Sequence, residues 1–153
     1  MREEKFIIGR SDKIDLPDLD IHNISAKIDT GAYTSSIHCL NPKVSGTKKK
    51  VLSFSVVDPG NNEVRGIRYR TAEFSQKNIR NSFGQIEKRY IIKTNILIFD
   101  KLIETQFSLS NRSEMKHPVL LGRKLLKKGF VVDVSKFNLS YKQKKKRKRS
   151  RQP

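Results

Sequence analysis

Ten residues near the start of the chain restrict its fold more than any other stretch: Lys27-Ile28-Asp29-Thr30-Gly31-Ala32-Tyr33-Thr34-Ser35-Ser36. Ile24, Ala26 and Ile28 alternate as a half-buried strand does, and that strand runs straight into a carboxylate. Gly31 then lets the backbone turn with no Cβ in the way. The hydroxyls of Thr30, Thr34 and Ser35 can donate to the carboxylate or to backbone carbonyls. Together these residues predict a rigid turn that presents Asp29. An Asp-Thr-Gly triplet by itself is most often a plain turn, so the assignment depends on a second element.

That element follows about ninety residues later, in Val119-Leu120-Leu121-Gly122-Arg123, continued by Lys124-Leu125-Leu126 and Phe130-Val131-Val132-Asp133-Val134. An early Asp-Thr-Gly-Ala loop, then two aliphatics, Gly, Arg and a short helix near the end, resembles the retropepsin-like aspartic peptidases. The chain is more closely similar to the bacterial family called putative ATP-dependent zinc proteases. The similarity passes through Ile8-Gly9, Leu16-Pro17, residues 26–32, Ser82-Phe83-Gly84 with Glu87 and Arg89, Arg112 with Met115, and residues 118–123. It covers residues 6–135, and it implies an all-β fold, the closed acid-protease barrel with one short C-terminal helix. Two departures, Ile8-Gly9-Arg10-Ser11 without the relatives' Trp-Arg-Glu continuation and Cys39 where alanine is common, leave Asp29 untouched.

Alternation elsewhere predicts the remaining strands. Phe6-Ile7-Ile8 is one; residues 51–57, with Leu52, Phe54 and Val56 on one face, are another; residues 63–74 alternate with charge. The long run 85–99 places Tyr90, Ile92, Thr94, Ile96 and Ile98 on one face, and Ile103, Thr105, Phe107 and Leu109 return after a turn at Asp100-Lys101. Residues 18–23 read as a turn, Asn41-Pro42 is expected to end the strand leaving Asp29, and residues 76–80 are ambiguous. Residues 124–128 have room for little more than one helical turn before Gly129.

The formal charge is +18; eight Lys or Arg and no acid lie between Lys142 and Arg151, which leaves +10 on residues 1–141. That run has no apolar residue to fold with, so a single barrel domain over residues 1–138 is expected to end in a disordered basic tail over residues 139–153. The field favours acidic partners, and the tail suits weak, sequence-independent RNA or ribosome contact; without interleaved aromatics it is not suited to reading bases. No signal-peptide core and no membrane-length apolar run are found, which with a single cysteine, Cys39, predicts a cytoplasmic protein that engages no membrane.

An aspartic peptidase needs two carboxylates that share a proton, one acting as base towards water and the other as acid towards the substrate. Asp29 has the right setting, but there is no second Asp-Thr-Gly or Asp-Ser-Gly; Asp133 lacks small neighbours and Asp58 sits in a proline turn. One chain therefore supplies half a site. The resemblance implies that two identical chains pair so that each gives one Asp29. It further implies that Thr30, Gly31 and Ala32 shape the loop, that Leu120, Leu121 and Gly122 pack behind it, and that Arg123 braces its base. Two glycine-containing hairpin tips between the motifs qualify as substrate-covering flaps, 59–62 and 81–85; Ser82, Phe83 and Gly84 of the second are favoured.

Zinc and ATP would each require a recognisable set of ligating residues. There is no His-Glu-x-x-His, the histidines His22, His38 and His117 are scattered singly, and His38 and Cys39 point to opposite faces of one strand. No metal ligand set, no required cofactor and no phosphate-binding glycine loop are predicted. The family's frequent association with ATP-grasp amino-acid ligases implies such a ligase as a partner. The sequence thus predicts a homodimeric aspartic endopeptidase acting on a peptide or protein. Two rivals are a non-catalytic peptide-binding accessory of an ATP-grasp ligase and a basic ribosome- or RNA-associated protein.

Overall fold

The computed structural model describes residues 4–58, 63–80, 83–111 and 116–150, with side chains left aside at 57–58 and 63–67. In chain order the strands are β1 (Phe6–Ile8), β2 (Ser11–Leu16), β3 (Ile21–Ile28), β4 (Ser35–Ser45), β5 (Val51–Asp58), β6 (Glu63–Thr71), β7 (Phe74–Arg80), β8 (Ile86–Ile98), β9 (Lys101–Ser110), β10 (Val119–Leu121) and β11 (Phe130–Val132). The α-helices are α1 (Arg123–Leu126) and α2 (Leu139–Ser150), and a 3-10 turn spans Pro17–Leu19.

Six strands close on themselves: β10 pairs with β3, β3 with β2, β2 with β8, β8 with β9, β9 with β4, and β4 again with β10. The expected all-β closed barrel with a short helix after β10 is therefore present. Closure removes the open edges a sheet would otherwise expose. β5 and β6 extend outward from β4, β7 pairs with β8, and β1 with β11 forms a separate parallel ribbon. Alternation produces the core: Ile14, Ile24, Ala26, Ile37, Ile96, Phe107 and Leu121 are all buried in one cluster.

Several local expectations need correction. Asn41-Pro42 does not end β4; the register slips between Leu40 and Lys43, Asn41 takes φ 52, and Pro42, which has no N–H to give a ladder, falls within the bulge. The β8–β9 turn is Phe99-Asp100 rather than Asp100-Lys101, both residues being left-handed at φ 50 and 62, a geometry whose twist suits a two-residue hairpin. Burial of the Phe99 ring, 5.5 Å from Phe6 and 6.3 Å from Phe130, offsets the strain. Residues 76–80 are strand, in β7, and β3 begins at Ile21, inside the expected turn.

The largest correction is at the C-terminal end, where disorder is expected and α2 is found. Its first turn is fixed by a buried acid: the Asp12 carboxylate accepts the N–H groups of Ser140 at 2.9 Å and Tyr141 at 3.1 Å. Ser140 Oγ in turn accepts the Phe99 N–H at 2.8 Å. Further along, Lys144 Nζ bonds Asp15 at 2.7 Å, and Arg147 pairs with Asp100. Lys, Gln and Arg are good helix formers, so a seed at Asp12 suffices to order the run. No helix among the described residues is long and apolar enough to cross a membrane.

Candidate active site

β10 lies between β3 and β4, parallel to the first and antiparallel to the second, so the two strands flanking Asp29 are held apart by the second sequence element. Asp29 leaves β3 with its N–H donating to the Leu121 carbonyl at 2.9 Å. Its Oδ1 accepts the Gly31 N–H at 2.9 Å, and its carbonyl accepts the Ala32 N–H at 3.3 Å. A Cβ on Gly31 would stand 3.2 Å from Oδ1, so a small residue is what lets the carboxylate fold back on its own turn.

The support behind the loop is backbone-deep. Arg123 N–H donates to the Ala32 carbonyl at 2.8 Å and Lys124 N–H to the Tyr33 carbonyl at 2.9 Å. Gly122 N–H donates to Ser35 Oγ at 3.0 Å. Of the three hydroxyls singled out beside Asp29, Ser35 thus acts as an acceptor from behind, and Thr30 is exposed at the loop tip. Arg123 Nη1 reaches the Thr30 carbonyl at 3.0 Å, and its guanidinium lies 5.8 Å from the Tyr33 ring centre. Leu120, Leu121, Gly122 and Arg123 are therefore brought against Thr30, Gly31 and Ala32 as a single unit.

Asp29 opens onto a cleft of about 610 Å³. Gly31, Ala32, Tyr33 and Leu120 line it on the loop side, and Ile79, Arg80 and Arg89 come from the two arms of the β7–β8 hairpin. Its floor carries hydroxyls: Ser36 from β4, and Ser108 and Ser110 from β9. Ser36 Oγ and Ser110 Oγ are buried with no hydrogen-bond partner among the described residues. Arg89 is paired with Glu87 at 3.1 Å. At the hairpin tip Phe83 is 88% exposed and Gly84 takes φ 80, and neither is among the residues lining the cleft. Ser82, Arg112, Met115 and the alternative tip at 59–62 lie outside the described residues.

Serines 36, 108 and 110 and arginines 80 and 89 complete the cleft beyond the residues singled out as its site. The serines meet only because β4 and β9 pair in parallel, Ser36 opposite Ser108 and His38 opposite Ser110. A parallel contact between strands so far apart leaves no local pattern to read. Arg89 did carry a signal, its place two residues after Glu87 in the motif.

Among the described residues Asp29 is the one acid lining the cleft. Asp133 accepts both the hydroxyl of Ser135 at 2.6 Å and its N–H at 3.0 Å, bonds that hold its carboxyl below the usual range. Cys39 is buried and its thiol is pushed up to about 12 by loss of solvent, which makes it a packing residue. No group of three or more His, Cys, Asp or Glu among the described residues is placed to hold a metal, so the donor set does not fit a zinc site.

The profile of a family described as "RimB-like: Retropepsin-like aspartic endopeptidase RimB" matches residues 7–145. A protein of Shewanella halifaxensis named probable alpha-L-glutamate ligase is 34% identical over 136 residues, 88% of this chain and 30% of that one. One of the same name from Parasynechococcus marenigrum is 31% identical over 130 residues, 84% of this chain and 28% of its own length. The chain thus spans less than a third of these curated relatives. A Legionella pneumophila protein of unknown function has a solved structure that aligns with a TM-score of 0.64 and 27% identity, over 88% of this chain and 97% of that one.

Proposed function

Because the chain belongs to the RimB-like, retropepsin-like aspartic endopeptidase family, we propose that it hydrolyses peptide bonds as a homodimer in which each protomer contributes Asp29. The observation that carries this reading is a braced loop presenting one carboxylate into a cleft with no second acid among its lining residues. Half a dyad is what a symmetric pair completes. Two such carboxylates at hydrogen-bonding distance share one proton, since both cannot ionise cheaply.

The ionised Asp29 takes a proton from water as the water oxygen bonds to the scissile carbonyl carbon. The protonated Asp29 gives its proton to the carbonyl oxygen. Collapse of the tetrahedral species moves a proton to the amide nitrogen as the C–N bond breaks, and the pair returns to a single shared proton. Leu120, Gly122 and Arg123 hold the loop in place; Arg80 and Arg89 line the cleft where the peptide would lie, over the buried hydroxyls of Ser36 and Ser110. Two guanidinium groups, that of Arg89 already shared with Glu87, suit a substrate carrying carboxylates.

A second reading is favoured by one finding, the ligase names of the curated relatives. In it the chain holds an acidic peptide beside a glutamate ligase without cutting it. The test is mass spectrometry of a peptide mixture that includes glutamate-rich sequences, incubated with wild type or Asp29→Ala in the presence of a chelator. Cleavage by wild type alone supports the peptidase. Binding of the same peptides by a folded dimer that leaves no products supports the accessory role.

A further inference from the structure

Helix α2 carries two faces of different use. With 3.6 residues per turn, Ser140, Lys144 and Arg147 share the side that meets the barrel, through Phe99, Asp15 and Asp100. Lys142, Lys145, Lys146 and Arg149 share the opposite side, and all four are exposed. These four, with Leu139 and Gln143, line a shallow groove of about 600 Å³. The Lys142 ammonium lies 4.4 Å from the Phe137 ring centre and that of Lys145 4.7 Å from Tyr141, contacts that limit where two of the charges can move. No acid occurs anywhere in residues 139–153.

We propose that this outward stripe of Lys142, Lys145, Lys146 and Arg149 is a docking site for the phosphate backbone of RNA. At 1.5 Å per residue it is roughly 10 Å long, enough to lie along a few consecutive phosphates of a nucleic-acid strand. The inward pairs of Lys144 and Arg147 fix the helix, so the outward cations project from one face before any partner arrives. Mainly lysine, the stripe offers point charges that accept phosphates of any sequence.

Rival surfaces fit less well. A folded protein partner is best held by a buried aromatic or aliphatic anchor, and stable seating on an anionic membrane takes an apolar face beside the basic charge; Leu139 is the one large apolar side chain in the groove. The site also lies away from the cleft. β2 runs from Ser11, opposite Lys27 beside Asp29, towards Leu16, and α2 follows it from Asp12 to Asp15. RNA held there leaves Asp29 open, so the chain can be tethered while its cleft works.

The test is fluorescence anisotropy with a labelled RNA duplex over a range of salt. Wild type should bind with log affinity falling linearly with log salt, at a slope of about −3 to −4 for four cations. Lys142→Gln/Lys145→Gln/Lys146→Gln, in which glutamine keeps the helix, should weaken binding more than tenfold. Arg149→Gln alone should make the slope shallower by about one. The control Lys48→Gln/Lys49→Gln/Lys50→Gln removes the same charge from the exposed β4–β5 turn and should bind RNA as wild type does. Asp29→Asn should also bind unchanged, which separates this proposal from the peptidase reading. Equal losses from the two triple variants, while circular dichroism shows the helix intact in both, would overturn it. So would tighter binding of an oligoglutamate peptide of equal charge, or of phosphatidylserine vesicles, at the same stripe.

Discussion

Gly122 and Ala32 are packed backbone against backbone: a Cβ on Gly122 would lie 2.8 Å from the Ala32 carbonyl oxygen, and 2.9 Å from that of Tyr33. Both atoms are main chain, and the same two carbonyls accept the N–H groups of Arg123 and Lys124. A methyl group at 122 must therefore push the Asp29 loop away from β10. Gly122→Ala is expected to lose about 1–3 kcal/mol, the usual cost of overpacking. Peptide cleavage should fall further than the loss of folded protein explains. Denaturant melts and assays on the same samples check both.

Arg123 acts on the loop from outside. Its bond to the Thr30 carbonyl fixes the turn that carries Gly31, whose N–H orients the Asp29 carboxylate. Arg123→Met keeps the aliphatic stem and removes the donor, at about 0.5–1.5 kcal/mol. The expected signature is a fall in kcat with KM nearly unchanged, since the cleft walls stay in place. A change confined to KM would show that Arg123 contacts substrate instead.

How far the sequence disclosed these parts follows from how local each part is. Asp29-Thr30-Gly31-Ala32 and Leu120-Leu121-Gly122-Arg123 are short runs whose chemistry is carried by consecutive residues, and the resemblance to the retropepsin-like family joined them as two halves of one support. Alternation marked the strands β3, β8 and β9, and the closed barrel came from the family resemblance. What stayed hidden depends on distant pairing. Ser36, Ser108 and Ser110 meet through a parallel contact of β4 with β9. The order of α2 rests on Asp12, which lies 128 residues before Ser140, and composition alone gives no sign of that bond.

Ser36 is 4% exposed, and its Oγ has no hydrogen-bond partner among the described residues while lining the cleft beside Asp29. An unpaired buried hydroxyl costs free energy that a methyl group does not. Ser36→Ala should therefore raise fold stability by about 1 kcal/mol. If the hydroxyl is kept for the substrate, the same change should raise KM for peptide cleavage. Thermal melts and steady-state kinetics would show stability and activity moving in opposite directions; a stabilised variant with unaltered KM would remove Ser36 from substrate binding.

Asp12 makes the seating of α2 sensitive to pH. Its carboxyl is raised above the ordinary 3.8, chiefly by burial and in spite of the N–H groups of Ser140, Lys13 and Tyr141, with Lys142 nearby also favouring the charge. A folded value above the unfolded one means that, between the two, the native chain holds a proton the unfolded chain has released. This group's contribution to stability is thus largest below pH 3.8, falls as pH rises through the folded value, and is level above it. A carboxyl-carbon titration by NMR should give a midpoint above 3.8 for Asp12. Asp12→Asn removes the titration and leaves one acceptor oxygen for the three N–H groups, so it should cost about 1–3 kcal/mol at neutral pH and loosen α2. Its stability measured against pH should lack the fall that wild type shows across the titration, and hydrogen exchange should report the loss of protection at Ser140 and Tyr141 before the barrel strands are affected.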